Sequence, residues 1–160
     1  MKMKRVLHFF VLIGVLYAGV SFLSTTRSTS AGNTSGYSPA ASAAQAGWWD
    51  NDWSYRVPLS VNANSFARQD KPAEANLNFT QLLNSLGQSG ALDINSLRVV
   101  EVDGSNNVLD AAVPFQFDPA SDFNASANAS GLLTFMLKGS TASNATRQYH
   151  VYFDVTGKGF

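Results

Sequence analysis

Cysteine is absent from this 160-residue chain. Disulfide scaffolds, Cys-ligated zinc, iron–sulfur clusters, thiol catalysis and a lipid-modified N-terminal Cys are therefore excluded. Charge is also scarce. Charged residues make up 14% of the chain and sum to a formal net charge of zero, against about 25% charged in an ordinary globular protein. There is no basic excess to grip nucleic acid and no acidic tail. Histidine occurs only as His8 and His150, and glutamate only as Glu74 and Glu101. No G-x-S-x-G elbow or H-E-x-x-H pair accompanies them. No catalytic residue is assigned, and this chain is read as a non-enzyme.

What is present begins with a leader. Lys2, Lys4 and Arg5 precede an 18-residue apolar run from Val6 to Leu23. A positive start followed by an apolar stretch is the layout of a signal peptide. The run is also close to the ~20 residues that cross a bilayer. Residues 1–23 are therefore expected to be either a cleaved signal peptide or an uncleaved membrane anchor, formed as an apolar helix. Membrane contact is expected only through residues 6–23. Residues 24–46 are nearly all Ser, Thr, Ala, Gly and Asn, and cannot bury enough apolar surface to offset their ordering entropy. They read as a disordered, flexible linker. Composition changes at Gly47-Trp48-Trp49, where the folded module, residues 47–160, is expected to begin. That module holds seven basic and eleven acidic residues, a net −4, which further disfavours nucleic acid. Both leader readings place it outside the cell or on the surface of a prokaryote, membrane-anchored if the leader is retained. Five N-x-[ST] sequons, at Asn33, Asn78, Asn124, Asn128 and Asn144, are little more than this composition yields, so glycosylation is not inferred.

Within the module the apolar period is two. Tyr55, Val57, Leu59 and Val61 alternate with polar neighbours, and Pro58 among them suggests an edge strand or a bulge. Ala73 to Phe79 alternates again. Thr80 to Leu86 reads as a short helical turn closed by Gly87. Leu97 to Val102, the turn residues Asp103 to Asn107 and a return at Val108-Leu109 form a hairpin. Val113 to Phe117 is a further strand. Leu132 to Leu137, apolar nearly throughout, is expected to be covered on both faces. Tyr149, Val151, Phe153 and Val155 give the last strand one buried side. Six or seven short strands without helix alternation predict an all-β fold, an antiparallel β-sandwich of jelly-roll or immunoglobulin-like type.

Candidate sites are few. Trp48, Trp49, Trp53 and Tyr55 crowd the start of the module. They can close one end of the core, stack on sugar rings or contact a neighbouring domain. Adjacent residues of an extended segment point to opposite sides, so one of Trp48 and Trp49 is expected to be exposed. Tyr152 joins a sugar platform if its side of the last strand is open. The candidate ligand-binding set is therefore Trp48, Trp49, Trp53 and Tyr152. Asp103, Ser105 and Asn107 begin like a calcium loop, but Val108 and Pro114 stand where an EF-hand needs Gly and Glu, so a hairpin turn is the better account. Asp118, Asp122 and Asn124 supply oxygen ligands in a second acidic loop and are weak calcium candidates, with no other cofactor expected. His150 lacks a nucleophile and an acid and reads as a surface or sheet-packing residue. Nothing in the sequence brings Glu74 and Glu101 together as the carboxylate pair of a glycosidase.

Four segments in order carry a resemblance. They are Trp49-Asp50-Asn51-Asp52-Trp53-Ser54-Tyr55-Arg56-Val57-Pro58, Asn95-Ser96-Leu97-Arg98-Val99, Val113-Pro114-Phe115-Gln116-Phe117-Asp118 and Arg147-Gln148-Tyr149-His150-Val151-Tyr152. Together the module resembles uncharacterised β-sandwich modules at the front of large secreted bacterial and archaeal surface or polysaccharide-active proteins. The resemblance implies a non-catalytic accessory module of a cell-surface protein, either carbohydrate-binding or a spacer and docking domain. Its implied partners are polysaccharide or neighbouring domains of a longer chain. Two other readings stand beside it. One is the N-terminal fragment of a polysaccharide lyase or glycoside hydrolase whose catalytic domain lies beyond residue 160. The other is a structural subunit of a surface layer or filament.

Overall fold

A computed structural model describes residues 47–160. The leader and the linker, residues 1–46, lie outside the described residues. Among the described residues no helix is long and apolar enough to cross a membrane. The elements run β1 (Tyr55–Asn62), β2 (Arg68–Asn78), α1 (Phe79–Ser85), β3 (Leu92–Val102), β4 (Val108–Asp110), β5 (Phe115–Pro119), β6 (Ser130–Thr141) and β7 (Thr146–Val155). They form two antiparallel sheets, one ordered β1-β7-β3-β4 and the other β2-β6-β5. The fold is an all-β sandwich. Pairing is nested: β1 lies against β7 and β2 against β6, as in a hairpin rolled over on itself.

The core lies between the sheets. Val57, Leu59 and Val61 of β1 and Leu97 and Val99 of β3 face Ala73, Ala75 and Leu77 of β2 and Leu133, Phe135 and Leu137 of β6. Tyr149, Val151 and Phe153 of β7 complete it, and Phe135 lies 4.9 Å from Tyr149, ring centre to ring centre. Helix α1 plugs one end by burying Phe79 and Leu83. Asn78 caps it, its side-chain oxygen accepting from the Gln81 N–H at 3.0 Å. Gly87 follows with φ +68°, the left-handed residue that ends the helix.

Pro58 sits in edge strand β1, where no second neighbour asks for an N–H. Edge strand β2 carries Pro72 and an irregularity at Asp70, whose φ is +46°. Both devices discourage a stray strand from pairing there.

Several expectations need correction. The strand read from Leu97 begins at Leu92, and the strand read from Val113 to Phe117 runs Phe115–Pro119. β2 begins at Arg68, five residues before the alternation at Ala73, because half-buried Arg68 and the exposed Gln69-Asp70-Lys71-Pro72 stretch form no apolar face to announce it. Phe79 is the first residue of α1, not the last of a strand. Most informative, β6 is not covered on both faces. Leu133, Phe135 and Leu137 are buried, whereas Leu132, Thr134 and Met136 are only half-buried on the outward side. The strand covered on both faces is β7, buried without interruption from Tyr149 to Asp154.

Candidate functional site

The outward face of β7 is covered by chain that belongs to no sheet. The segment from Gly47 to Ser54 crosses it and lays down three indoles. Trp49 donates its backbone N–H to the Tyr152 hydroxyl at 2.9 Å. Trp48 donates its indole N–H to the Trp53 carbonyl at 3.0 Å. Trp53 donates its own to the Ser96 carbonyl at 2.6 Å. Every indole polar group with an inward partner is thereby matched, as burial requires.

The rings meet edge to face. Trp48 and Trp49 lie 5.6 and 5.5 Å from Tyr152, inclined at 86° and 60°. Trp49 is 4.9 Å from Trp53, and Trp53 is 4.7 Å from Phe160. Val100 and Val102 of β3 form the floor with Tyr152. Two guanidinium groups flank this aromatic seam, Arg56 at 4.5 Å over Trp48 and Arg98 at 5.5 Å over Trp53. Arg56 also donates to the Gly47 carbonyl.

The end of the seam is tied by a buried polar knot. β3 is irregular between Asp93 and Arg98, and this turns Ser96 inward to zero exposure. The Ser96 hydroxyl donates to the Asp93 carbonyl at 2.6 Å and accepts from the Asp154 N–H at 2.8 Å. The Asp154 carboxylate accepts from the Ser54 N–H at 2.8 Å and pairs with Lys158, also at 2.8 Å. Burial alone pushes the Asp154 carboxyl up, but the hydrogen bonds from Lys158, Val155 and Ser54 together outweigh it and hold it below the ordinary aspartate value. Lys158 also donates to the Asp52 carbonyl at 3.2 Å. Both ends of the module thus converge on one face.

His150 lies beside the seam, 6.0 Å from the Tyr152 ring. It is 4% exposed, and its Nδ1 has no hydrogen-bond partner. Burial first, and the Arg56 charge second, push its pKa down to about 4. It is a neutral imidazole packed against the sheet.

Neither Trp48 nor Trp49 stands free; both are half-buried. Trp53 is 9% exposed and Tyr152 is fully buried, so the side of β7 that Tyr152 occupies is closed. Glu74 and Glu101 lie in different sheets. Glu101 is bound to Arg147, whose Nε–H reaches it at 2.7 Å, while Glu74 is exposed on β2. Asp103 accepts from the N–H groups of Ser105 and Asn107 and from the Asn107 amide, which builds the hairpin turn. In the second loop Asp118 accepts from Gln116, Asp122 accepts from Asn128, and Asn124 accepts from the N–H groups of Ser126 and Ala127. These oxygens serve the loop itself, and among the described residues no group of three or more His, Cys, Asp or Glu side chains could hold a metal ion.

Sequence reasoning missed Ser96, Asp154 and Phe160. A Ser inside a β-branched run and an Asp ending an apolar strand were the available signals. Each is a polar group that must find a partner if buried. The four segments behind the family resemblance converge here in part. Trp53 meets Ser96, and Tyr152 meets Trp49. No protein-family model matches the chain, and no curated protein or solved structure matches it.

Proposed function

We propose that the chain is an exported, non-catalytic accessory module of a prokaryotic cell-surface protein, and that its aromatic seam serves docking and not sugar stacking. One observation carries this reading: the arriving segment Gly47–Ser54 and the departing segment Lys158–Phe160 share the seam. Whatever is attached at either end leaves from beside half-buried Trp48 and Trp49. A tethered neighbour is then held at high effective concentration next to that surface. Sugar stacking asks for an open ring face, yet the Trp48 ring is capped by Arg56 and Trp49 packs on Trp53. Ends that leave side by side also suit a pendant module better than an in-line spacer.

The intrinsic fluorescence of the intact surface protein, compared with that of residues 47–160 alone, tests the reading. Docking predicts a blue-shifted emission in the intact protein that Trp49→Ala largely removes. An identical spectrum, or polysaccharide retention that Trp48→Ala or Trp49→Ala abolishes at unchanged melting temperature, replaces docking with a sugar platform. A reporter active only outside the cytoplasm, fused after residue 60, checks export.

A further inference from the structure

We propose that the groove on the opposite sheet, between α1 and the outward face of β2, β6 and β5, is a binding site for a neutral saccharide. The groove encloses about 710 Å³, within the ~300–1,000 Å³ of ordinary ligand sites. It shares no residue with the aromatic seam. The inference keeps the accessory-module reading and adds a ligand and a second site to it.

The chemistry follows from register. Asn76 of β2 stands opposite Leu132 of β6, which stands opposite Asp118 of β5. One rung across the sheet therefore reads amide, hydrocarbon, carboxylate. At about 4.8 Å per strand, the two polar groups bracket roughly 10 Å of apolar floor. Leu82 of α1 and Pro119 extend that floor, and Gln81 of α1 adds a second amide at the wall. A sugar ring has this pattern, C–H faces bordered by hydroxyls that both donate and accept. Side-chain amides do both as well.

The two amides are not employed elsewhere, and Asp118 only in part. Asn78 caps α1, Asn124 builds a turn and Asn128 binds Asp122. The Asn76 and Gln81 amides make no hydrogen bond within the described residues, and one Asp118 oxygen accepts only from Gln116. Asparagine within a strand is disfavoured, and no hydrogen bond of the Asn76 side chain explains it here. Charge selects the ligand class. Among the described residues, Asp118 is the one acidic or basic side chain lining the groove, and Glu74 lies one rung further along β2. Two carboxylates on this face repel acidic glycans and leave neutral ones.

The full chain is run through native gels cast with a neutral β-glucan, xylan or mannan, and with acidic polygalacturonate. The expected result is retardation in at least one neutral gel and none in polygalacturonate. Asn76→Ala and Gln81→Ala should each weaken retention roughly tenfold, the loss of about one hydrogen bond, with melting temperature unchanged. Trp49→Ala should retain the sugar. Three results overturn the proposal: a folded wild-type chain that no neutral gel retards, retention in polygalacturonate alone, or retention that the Asn76→Ala/Gln81→Ala double variant keeps. Retention lost with Trp49→Ala but kept with Asn76→Ala moves the site to the seam, overturning both this assignment and the docking role. A dimer in solution that Asn76→Ala returns to monomer makes the groove a self-association face and likewise overturns it.

Discussion

β6 and β7 are both interior strands of their sheets, yet their outward faces meet different fates. β6 turns Leu132, Thr134 and Met136 outward and leaves them half-open. β7 turns His150, Tyr152 and Asp154 outward and buries all three. The more polar face is the covered one. Coverage of a sheet is decided by segments that are not strands, and here Gly47–Ser54 and Phe160 supply it for one sheet only. The buried polar residues are the attachment points for that cover. Tyr152 receives the Trp49 N–H and Asp154 receives the Ser54 N–H. The uncovered face keeps its polar groups for an outside partner.

The comparison breaks most easily at Trp53. Trp53→Ala should lower stability by about 3–5 kcal/mol in urea unfolding, because it removes the most deeply buried indole of the cover and leaves the Ser96 carbonyl without its indole donor. A loss below 1 kcal/mol would mean that the cover is loose. Next in size is a pH effect. The unfolded His150 titrates near 6.5 and the folded one at about 4, so between these values the unfolded chain binds the extra proton. Stability should therefore fall as pH drops from about 6.5 to 4, by up to about 3 kcal/mol. His150→Gln should flatten that slope, as read from urea midpoints across the window. An unchanged slope would assign the loss to other groups. Ser96→Ala should cost about 1–3 kcal/mol by stranding the buried Asp154 N–H. Its sharpest readout is faster hydrogen exchange at that amide. Smallest of all, Asn76→Ala on the open face should stay within about ±0.5 kcal/mol. A larger loss would show that the open face is structural too.

Alternation is the direct imprint of burial, so Val57-x-Leu59-x-Val61 was legible as a strand with one buried side, whereas Tyr149-x-Val151-x-Phe153 disclosed only the core-facing half of a strand that is buried on both. The sandwich followed from their number and from the turns between them. The location of the cover was not legible. Leu132 to Leu137 reads as doubly buried because Leu132 and Met136 are apolar, but hydrocarbon on an outward face is tolerated when nothing arrives to cover it. His150 was left between the surface and sheet packing because nothing in the last strand reveals that Trp48 and Trp49, a hundred residues earlier, fold back over its neighbour; it is buried. The aromatic cluster was found from sequence, whereas its packing against Tyr152 needed the register of β1 on β7. The groove was invisible because Asn76, Leu132 and Asp118 are brought into line only by strand pairing.

The junction of the two chain ends has a mechanical consequence. Tyr55 begins β1 opposite Phe153, close to where β7 finishes. Tension applied through the two ends therefore enters an antiparallel ladder at one extremity and opens its hydrogen bonds in succession, like a zip. A pair loaded lengthwise must rupture many bonds at once and resists far larger forces. Here the seam would peel first, with Lys158 leaving Asp154 and the indoles lifting from Tyr152, before any strand separates. Under pull, the module would yield slack early, and the sheet bearing the groove, which neither end enters, would be the last part to feel the load.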